Sequence, residues 1–257
     1  MSTLKDDILF YNQKSTDETE LLKKVQKVLL PNHPLQINNL NIDYRYVPLE
    51  KVGGDYLSFT TFDDGSLGAL IGDVSGHGLH AALNLSLIKS STDEVCRRYG
   101  HSPEKYLTEL NKLLLKEMPA YFITAIYGFF QFEDPIMNFT FSNGGHPCPI
   151  IYRSNERKFI QLDSTGTVVG LLTKVKFESN NVALSRGDRL FLFTDGIPEA
   201  DNGKREMIGY DENLINLFIK SNKPDISETL DAIMEEINKC SIGKSNMDDI
   251  TIIGFEV

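Results

Sequence analysis

The chain has 257 residues, with 26 lysines and arginines against 36 aspartates and glutamates, so its formal charge is −10. This acidic balance argues against general nucleic-acid binding, which needs clustered basic residues to neutralise phosphates. No apolar run reaches the ~20 residues of a transmembrane helix, and the charged N-terminus lacks the apolar stretch of a signal peptide. The three cysteines are widely spaced and odd in number, which favours a reducing compartment. We therefore predict a cytoplasmic protein that binds neither nucleic acid nor membrane.

The first predicted element is an amphipathic helix from Thr16 to Leu30, which Pro31 and Pro34 bring to an end. We predict two units: a helical extension over residues 1–34 and a folded domain over residues 35–257. The helix either docks on its own domain, which is the usual outcome for an amphipathic helix, or contacts a second chain.

The rest of the chain reads as strands and helices in an order that predicts the fold class. Strands are predicted over residues 41–47, 55–62, 66–74, 121–132, 136–142, 147–153, 158–162, 175–184, 189–194 and 250–257. Helices are predicted over residues 79–98, 103–117, 211–221 and 226–239. Most strands follow one another through short turns, so we expect an α+β domain with largely antiparallel sheets.

Aspartates lie at the ends of several predicted strands. Asp73 and Asp195 each close an apolar run, and Asp248 and Asp249 precede the last strand. Taken singly, a strand-end aspartate is more often a turn former than a functional group. In antiparallel sheets, however, two strand exits and one strand entrance can share an edge, so these side chains are candidates for a common site.

One hairpin allows a sharper prediction. If its turn is centred on Asp64, then Asp55 and Asp73 lie at equal distances from the centre and face each other, with Cβ atoms about 4.5–5.5 Å apart. Two carboxylates this close repel each other unless one is protonated or a cation lies between them. Hard oxygen ligands suit Mg²⁺ or Mn²⁺, and two such ions can activate water and clamp a phosphoryl group.

Several short motifs, in a fixed order, resemble those of a known family. The order runs from Val52-Gly53-Gly54-Asp55-Tyr56 through Asp73-Val74-Ser75-Gly76-His77-Gly78 and Asn143-Gly144-Gly145-His146-Pro147 to Thr194-Asp195-Gly196 and Asp248-Asp249-Ile250-Thr251. Each motif alone is weak. Together they resemble the PPM family of metal-dependent serine/threonine phosphatases, specifically its bacterial branch of sporulation stage II and stress-response partner-switching phosphatases.

This resemblance implies an α-β-β-α sandwich of two antiparallel sheets flanked by helices. It implies Asp55 and Asp73 as catalytic groups that hold two ions of Mn²⁺ or Mg²⁺. The implied metal ligands are Asp55, Asp73, the Val74 carbonyl, Asp195 and Asp248. The residues implied to support these ligands without binding the ions are Gly54, Gly76, His77, Gly196 and Asp249. The phosphate-binding arginine of eukaryotic members has no evident match.

The implied reaction is hydrolysis of phosphoserine or phosphothreonine by a metal-bridging hydroxide. The expected substrate is a phosphorylated regulatory protein similar to an anti-sigma-factor antagonist. The resemblance also suggests an activator protein and a homodimer formed through the N-terminal helix. Two alternatives stay open: a pseudophosphatase that binds a signalling partner without turnover, and a metal-dependent phosphodiesterase acting on a small molecule.

Overall fold

The computed structural model describes most of the chain. The described residues are 30–31, 35–49, 53–74, 79–119, 121–133, 135–202, 206–240 and 248–257. The N-terminal helix predicted from Thr16 lies outside these ranges apart from its last residue, and Gly76 and His77 lie outside them as well.

Two antiparallel sheets contain all the strands in the described ranges. The first sheet has six strands in the order β1-β2-β11-β10-β7-β8. They are β1 (Leu35–Ile37), β2 (Leu40–Val47), β7 (Ile150–Arg153), β8 (Lys158–Gln161), β10 (Arg189–Phe193) and β11 (Ile250–Glu256). The second sheet has five strands in the order β3-β4-β5-β6-β9. They are β3 (Asp55–Thr61), β4 (Leu67–Val74), β5 (Ile123–Glu133), β6 (Ile136–Gly144) and β9 (Ser179–Leu184).

Four helices flank the sheets in the described part of the chain. They are α1 (Leu79–Tyr99), α2 (Pro103–Glu117), α3 (Glu212–Ser221) and α4 (Ile226–Cys240). Ser102 is the N-cap of α2 and is followed by proline at the first helical position, as predicted, although its side chain makes no capping hydrogen bond. Asp211 caps α3 with a side-chain bond from the Asn213 N–H at 2.9 Å.

The alternation of side chains along the strands produces three apolar layers. Leu57 and Ile71 point between the sheets and pack in one core cluster with Ile253 and other residues of the first sheet. Tyr56 points to the opposite face, into a second cluster beneath α1 and α2. The third cluster lies between the first sheet and α3 and α4, and Phe193 is fully buried in it. The predicted α-β-β-α sandwich is confirmed.

The largest differences from the predicted strands concern β1, β7 and β9. The short edge strand β1 was not predicted. Strand β7 begins at Ile150 and not at residue 147, because Pro147 and Pro149 have no N–H to donate to a neighbouring strand. Strand β9 begins at Ser179 and not at residue 175, because its pairing with β6 ends at the pair of Ser179 with Ser142.

Candidate active site

The hairpin of β3 and β4 brings two carboxylates face to face. The Gly65 N–H donates to the Phe62 carbonyl, and Gly65 adopts a φ of +80°, which glycine accepts without strain. Asp55 then pairs directly with Asp73, which confirms the pairing predicted from the turn. The neighbouring pair is hydrogen-bonded, since the Val74 N–H donates to the Gly54 carbonyl at 3.2 Å. Asp55 and Asp73 therefore form a non-hydrogen-bonded pair, the type with the closest Cα atoms, about 4.5 Å apart.

Asp55 is held by two threonines from the other sheet. Its side chain is buried, and Oδ2 accepts bonds from the Thr194 hydroxyl at 2.9 Å and the Thr251 hydroxyl at 2.5 Å. The two threonines are joined to each other, because the Thr251 N–H donates to Thr194 Oγ1 at 3.0 Å. These bonds tie the start of β3 to the end of β10 and the start of β11, and they fix the orientation of the Asp55 carboxylate.

Asp195 and Asp248 lie at the same edge as this pair. Asp195 follows β10 and Asp248 precedes β11, and the pairing of Phe193 with Ile252 brings the two ends together. Asp248 Oδ1 accepts a bond from the Asp249 N–H at 2.8 Å. Asp195 Oδ1 is buried and has no hydrogen-bond partner among the described residues.

Asp249 organises the loop that leads into β3. Its two carboxylate oxygens accept bonds from the Leu49 N–H at 2.7 Å and the Gly54 N–H at 2.5 Å. Gly196 allows the Asp195 turn to lie against this segment, since a Cβ at residue 196 would fall 1.9 Å from the Asp249 carbonyl oxygen. Asp249 thus has both oxygens engaged by backbone donors, whereas Asp195 has an oxygen left over.

The acids of this edge raise one another's pKa. Burial, and then the charge of Asp73, raises the pKa of Asp55 well above its usual range. Burial and the charges of Asp195 and Asp248 raise the pKa of Asp73 to about 8. Burial and the charge of Asp248 also raise the pKa of Asp195. Acidic side chains are therefore concentrated at this edge. No basic side chain is among the strongest influences on these three pKa values.

His146 lies behind this edge and is electrically neutral. It is buried, and burial lowers its pKa to about 3. Its Nδ1 is 2.9 Å from the hydroxyl of Thr124, the residue that pairs with Asp73 on the neighbouring strand. Its backbone is held by the Asn143 side chain, which accepts the His146 N–H at 2.8 Å. We interpret His146 as a structural residue of the β5–β6 side of the site.

Sequence reasoning missed some residues of this edge. The motifs contain Thr194 and Thr251, but no local pattern shows that both contact Asp55. Glu199 belongs to the motif that follows Asp195 but was given no role: its N–H donates to the Asp195 carbonyl at 2.8 Å, and burial with the charges of Asp195 and Asp248 raises its pKa. Of the supporting residues, Gly54, Gly196 and Asp249 lie at the site, whereas Gly76 and His77 are outside the described residues.

The chemistry of the oxygen atoms at this edge suits a divalent cation. Within the described ranges, no three carboxylate, imidazole or thiol side chains are gathered closely enough to enclose an ion. Even so, the acids are coupled by charge, and the buried Asp195 oxygen lacks a donor. Carboxylate and carbonyl oxygens are the ligands that Mg²⁺ and Mn²⁺ prefer, and a cation would relieve the mutual repulsion.

Comparison with known proteins identifies the family. The model of the family described as stage II sporulation protein E (SpoIIE) matches residues 63–257, which is most of the chain. The chain belongs to the SpoIIE family. This membership confirms the resemblance inferred from the motifs. None of the helices described for this SpoIIE-family chain is long and apolar enough to cross a membrane.

Two curated relatives of this SpoIIE-family chain come from Bacillus subtilis (strain 168). The phosphoserine phosphatase RsbU is 31% identical over 194 residues, which are 74% of this chain and 57% of RsbU. The phosphoserine phosphatase RsbP is 28% identical over 186 residues, which are 70% of this chain and 45% of RsbP. The chain thus spans about half the length of these relatives. Among solved structures, the SiaA-PP2C domain of Pseudomonas aeruginosa matches with a TM-score of 0.82 at 18% identity, covering 96% of this chain and 98% of that one.

Proposed function

We propose that this chain is a metal-dependent protein serine/threonine phosphatase whose catalytic domain is formed by residues 35–257. The observation that carries the proposal is the direct pairing of Asp55 with Asp73 at an edge that Asp195 and Asp248 share. Such a set of carboxylates is unfavourable by itself and becomes favourable with cations. The names of the curated relatives, both phosphoserine phosphatases, support the same activity.

In this proposal the site binds two metal ions, either Mn²⁺ or Mg²⁺. The residues that would hold them are Asp55, Asp73, the Val74 carbonyl, Asp195 and Asp248. Bound ions would supply an acidified water and positive charge for the phosphoryl oxygens. The protein contributes orientation: Thr194 and Thr251 fix the Asp55 carboxylate, and Asp249 fixes the loop that enters β3.

The proposed substrate is a phosphorylated regulatory protein of a partner-switching system. The proposal extends to an activator protein and to a homodimer formed through the N-terminal segment, both by analogy with the family. A cytoplasmic location is part of the same proposal, and the free thiols of Cys96 and Cys148 suit a reducing compartment.

The test is hydrolysis of a phosphoserine peptide and of p-nitrophenyl phosphate with Mn²⁺, with Mg²⁺ and with EDTA. We expect turnover that needs the metal and that falls at least about 1,000-fold in Asp55→Asn, because the variant loses a charge that holds the ions. The fold should persist, since the asparagine oxygen can still accept the two threonine bonds.

The matched control is Asp63→Asn, which makes the same chemical change at the exposed turn of the same hairpin. It should retain wild-type turnover. Metal-independent hydrolysis, or wild-type rates in Asp55→Asn, would reject the proposal. Metal binding without turnover would favour the pseudophosphatase.

A further inference from the structure

A short hairpin after β10 brings an exposed tyrosine back to the acidic edge. The Ile208 N–H donates to the Ala200 carbonyl and the Gly209 N–H to the Pro198 carbonyl, both at 2.8 Å. Gly209 then turns the chain with a φ of +82°. Because Pro198 is three residues beyond Asp195, these bonds bring Tyr210 beside the turn that carries Asp195. The position follows from the backbone hydrogen bonds of the hairpin.

The surroundings of Tyr210 keep its phenol protonated. Partial burial and the charges of Asp195 and Glu199 raise the pKa of Tyr210 to about 12. The residue is nevertheless 51% exposed, so its side chain can be reached by a molecule that approaches the site. It is therefore a neutral hydrogen-bond donor at the rim of an acidic site.

A neutral donor at this edge would help to bind a phosphate group. Apart from any bound cations, the charged groups with the strongest influence on Asp73, Asp195 and Glu199 are other carboxylates, which repel a phosphate dianion. A lysine or arginine here would form ion pairs with the carboxylates that are proposed to hold the cations. A neutral hydroxyl can donate to phosphate without forming such ion pairs.

We propose that the Tyr210 hydroxyl donates a hydrogen bond to the phosphoryl oxygens of the substrate. This inference rests on the proposed phosphatase function and identifies a substrate-binding residue for it. The ligand class is a phosphate monoester, and inorganic phosphate is its simplest member. The bond is made to the phosphate itself, so it serves peptide and small aryl substrates alike.

The experiment compares wild type with Tyr210→Phe in saturating Mn²⁺. We expect kcat/KM to fall about 10-fold for both the phosphoserine peptide and p-nitrophenyl phosphate, the loss typical of one hydrogen bond to a charged group. The inhibition constant of inorganic phosphate should rise by a similar factor. The Kd for Mn²⁺ and the thermal midpoint should stay unchanged, because the side chain is half exposed and holds no ion.

The matched control is Tyr99→Phe, the same change at a partly buried tyrosine at the end of α1 that packs against the second core cluster. It should leave every constant unchanged. A Tyr210→Phe variant with kcat/KM within about twofold of wild type would overturn the inference. A parallel loss of Mn²⁺ affinity would also overturn it, because the hydroxyl would then act on the carboxylates.

Direct titration of inorganic phosphate into the Mn²⁺-loaded protein separates this inference from the proposed function. If wild type has no turnover, the phosphatase proposal fails, but the titration still decides the role of Tyr210. Weaker phosphate binding by Tyr210→Phe than by wild type supports the inference. Equal binding, or no phosphate binding by wild type, rejects it.

Discussion

The two ends of β10 hold aspartates in opposite surroundings. Asp188 precedes the strand, and its carboxylate accepts bonds from Arg153 Nη1 at 2.8 Å, the Ser154 N–H at 2.9 Å and the Ser185 N–H at 3.1 Å. Beyond the other end of the strand, Asp195 faces further acids and keeps a buried oxygen without a partner among the described residues. The carboxylate of Asp188 is thus paired by groups of the protein itself, whereas the carboxylate of Asp195 is not fully paired by the described residues.

This difference separates structural from functional burial of charge. Asp55 and Asp188 are equally inaccessible, each with 2% of its surface exposed. Burial alone therefore does not distinguish the two roles. A buried carboxylate that is paired with an arginine contributes to the stability of the folded protein. Buried carboxylates that face one another are stable only when cations or protons are bound.

The largest expected effect on stability is at the Asp188 end of β10. Asp188→Asn removes the charge that pairs with Arg153 and presents an amide to backbone N–H donors, so it should lower the free energy of unfolding by about 3 kcal/mol. Urea denaturation checks this value. Turnover per folded molecule should match wild type, and unchanged stability would show that this cluster is dispensable.

The opposite sign is expected at the acidic end. In EDTA, Asp73→Asn should raise the free energy of unfolding by roughly 2 kcal/mol, because it removes a charge that the other acids repel. Asp73 has a raised pKa, so its ionisation destabilises the fold. The destabilisation is absent below the ordinary value of 3.8, grows as the pH rises to about 8, and is constant above that.

Denaturation of wild type and Asp73→Asn at several pH values checks this prediction. The stability difference should be close to zero near pH 4 and largest at pH 8, and Asp63→Asn should show no such trend. A variant that is less stable than wild type in EDTA at pH 8 would contradict the contrast between the two ends of β10.

Local sequence patterns predicted most of the fold because they determine most of it. The register of β3 and β4 followed from the turn at Asp64 alone, because a tight turn fixes which residues face each other. Strand β1 was missed because its three residues, Leu35–Ile37, are too few to show an alternation. The start of β9 was misjudged because its limit depends on where β6 stops pairing, which no pattern within β9 reveals.

The site was predicted less completely than the fold. Strand-end aspartates are visible in the sequence, and the ordered motifs connected them. The bonds from Thr194 and Thr251 to Asp55 join residues 139 and 196 positions apart in two different sheets, and no local pattern shows such contacts. Tyr210 also escaped notice, because only the hairpin that precedes it brings it back to Asp195.

The most direct test of the account is a calorimetric titration of Mn²⁺ into the wild-type protein and into Asp55→Asn. We predict that wild type binds the ion and that Asp55→Asn loses at least about 100-fold in affinity, because the paired carboxylates would hold the metal. The Asp188→Asn variant should bind like wild type. Equal Mn²⁺ affinity in wild type and Asp55→Asn would contradict the claim that the acidic edge is a metal-dependent active site.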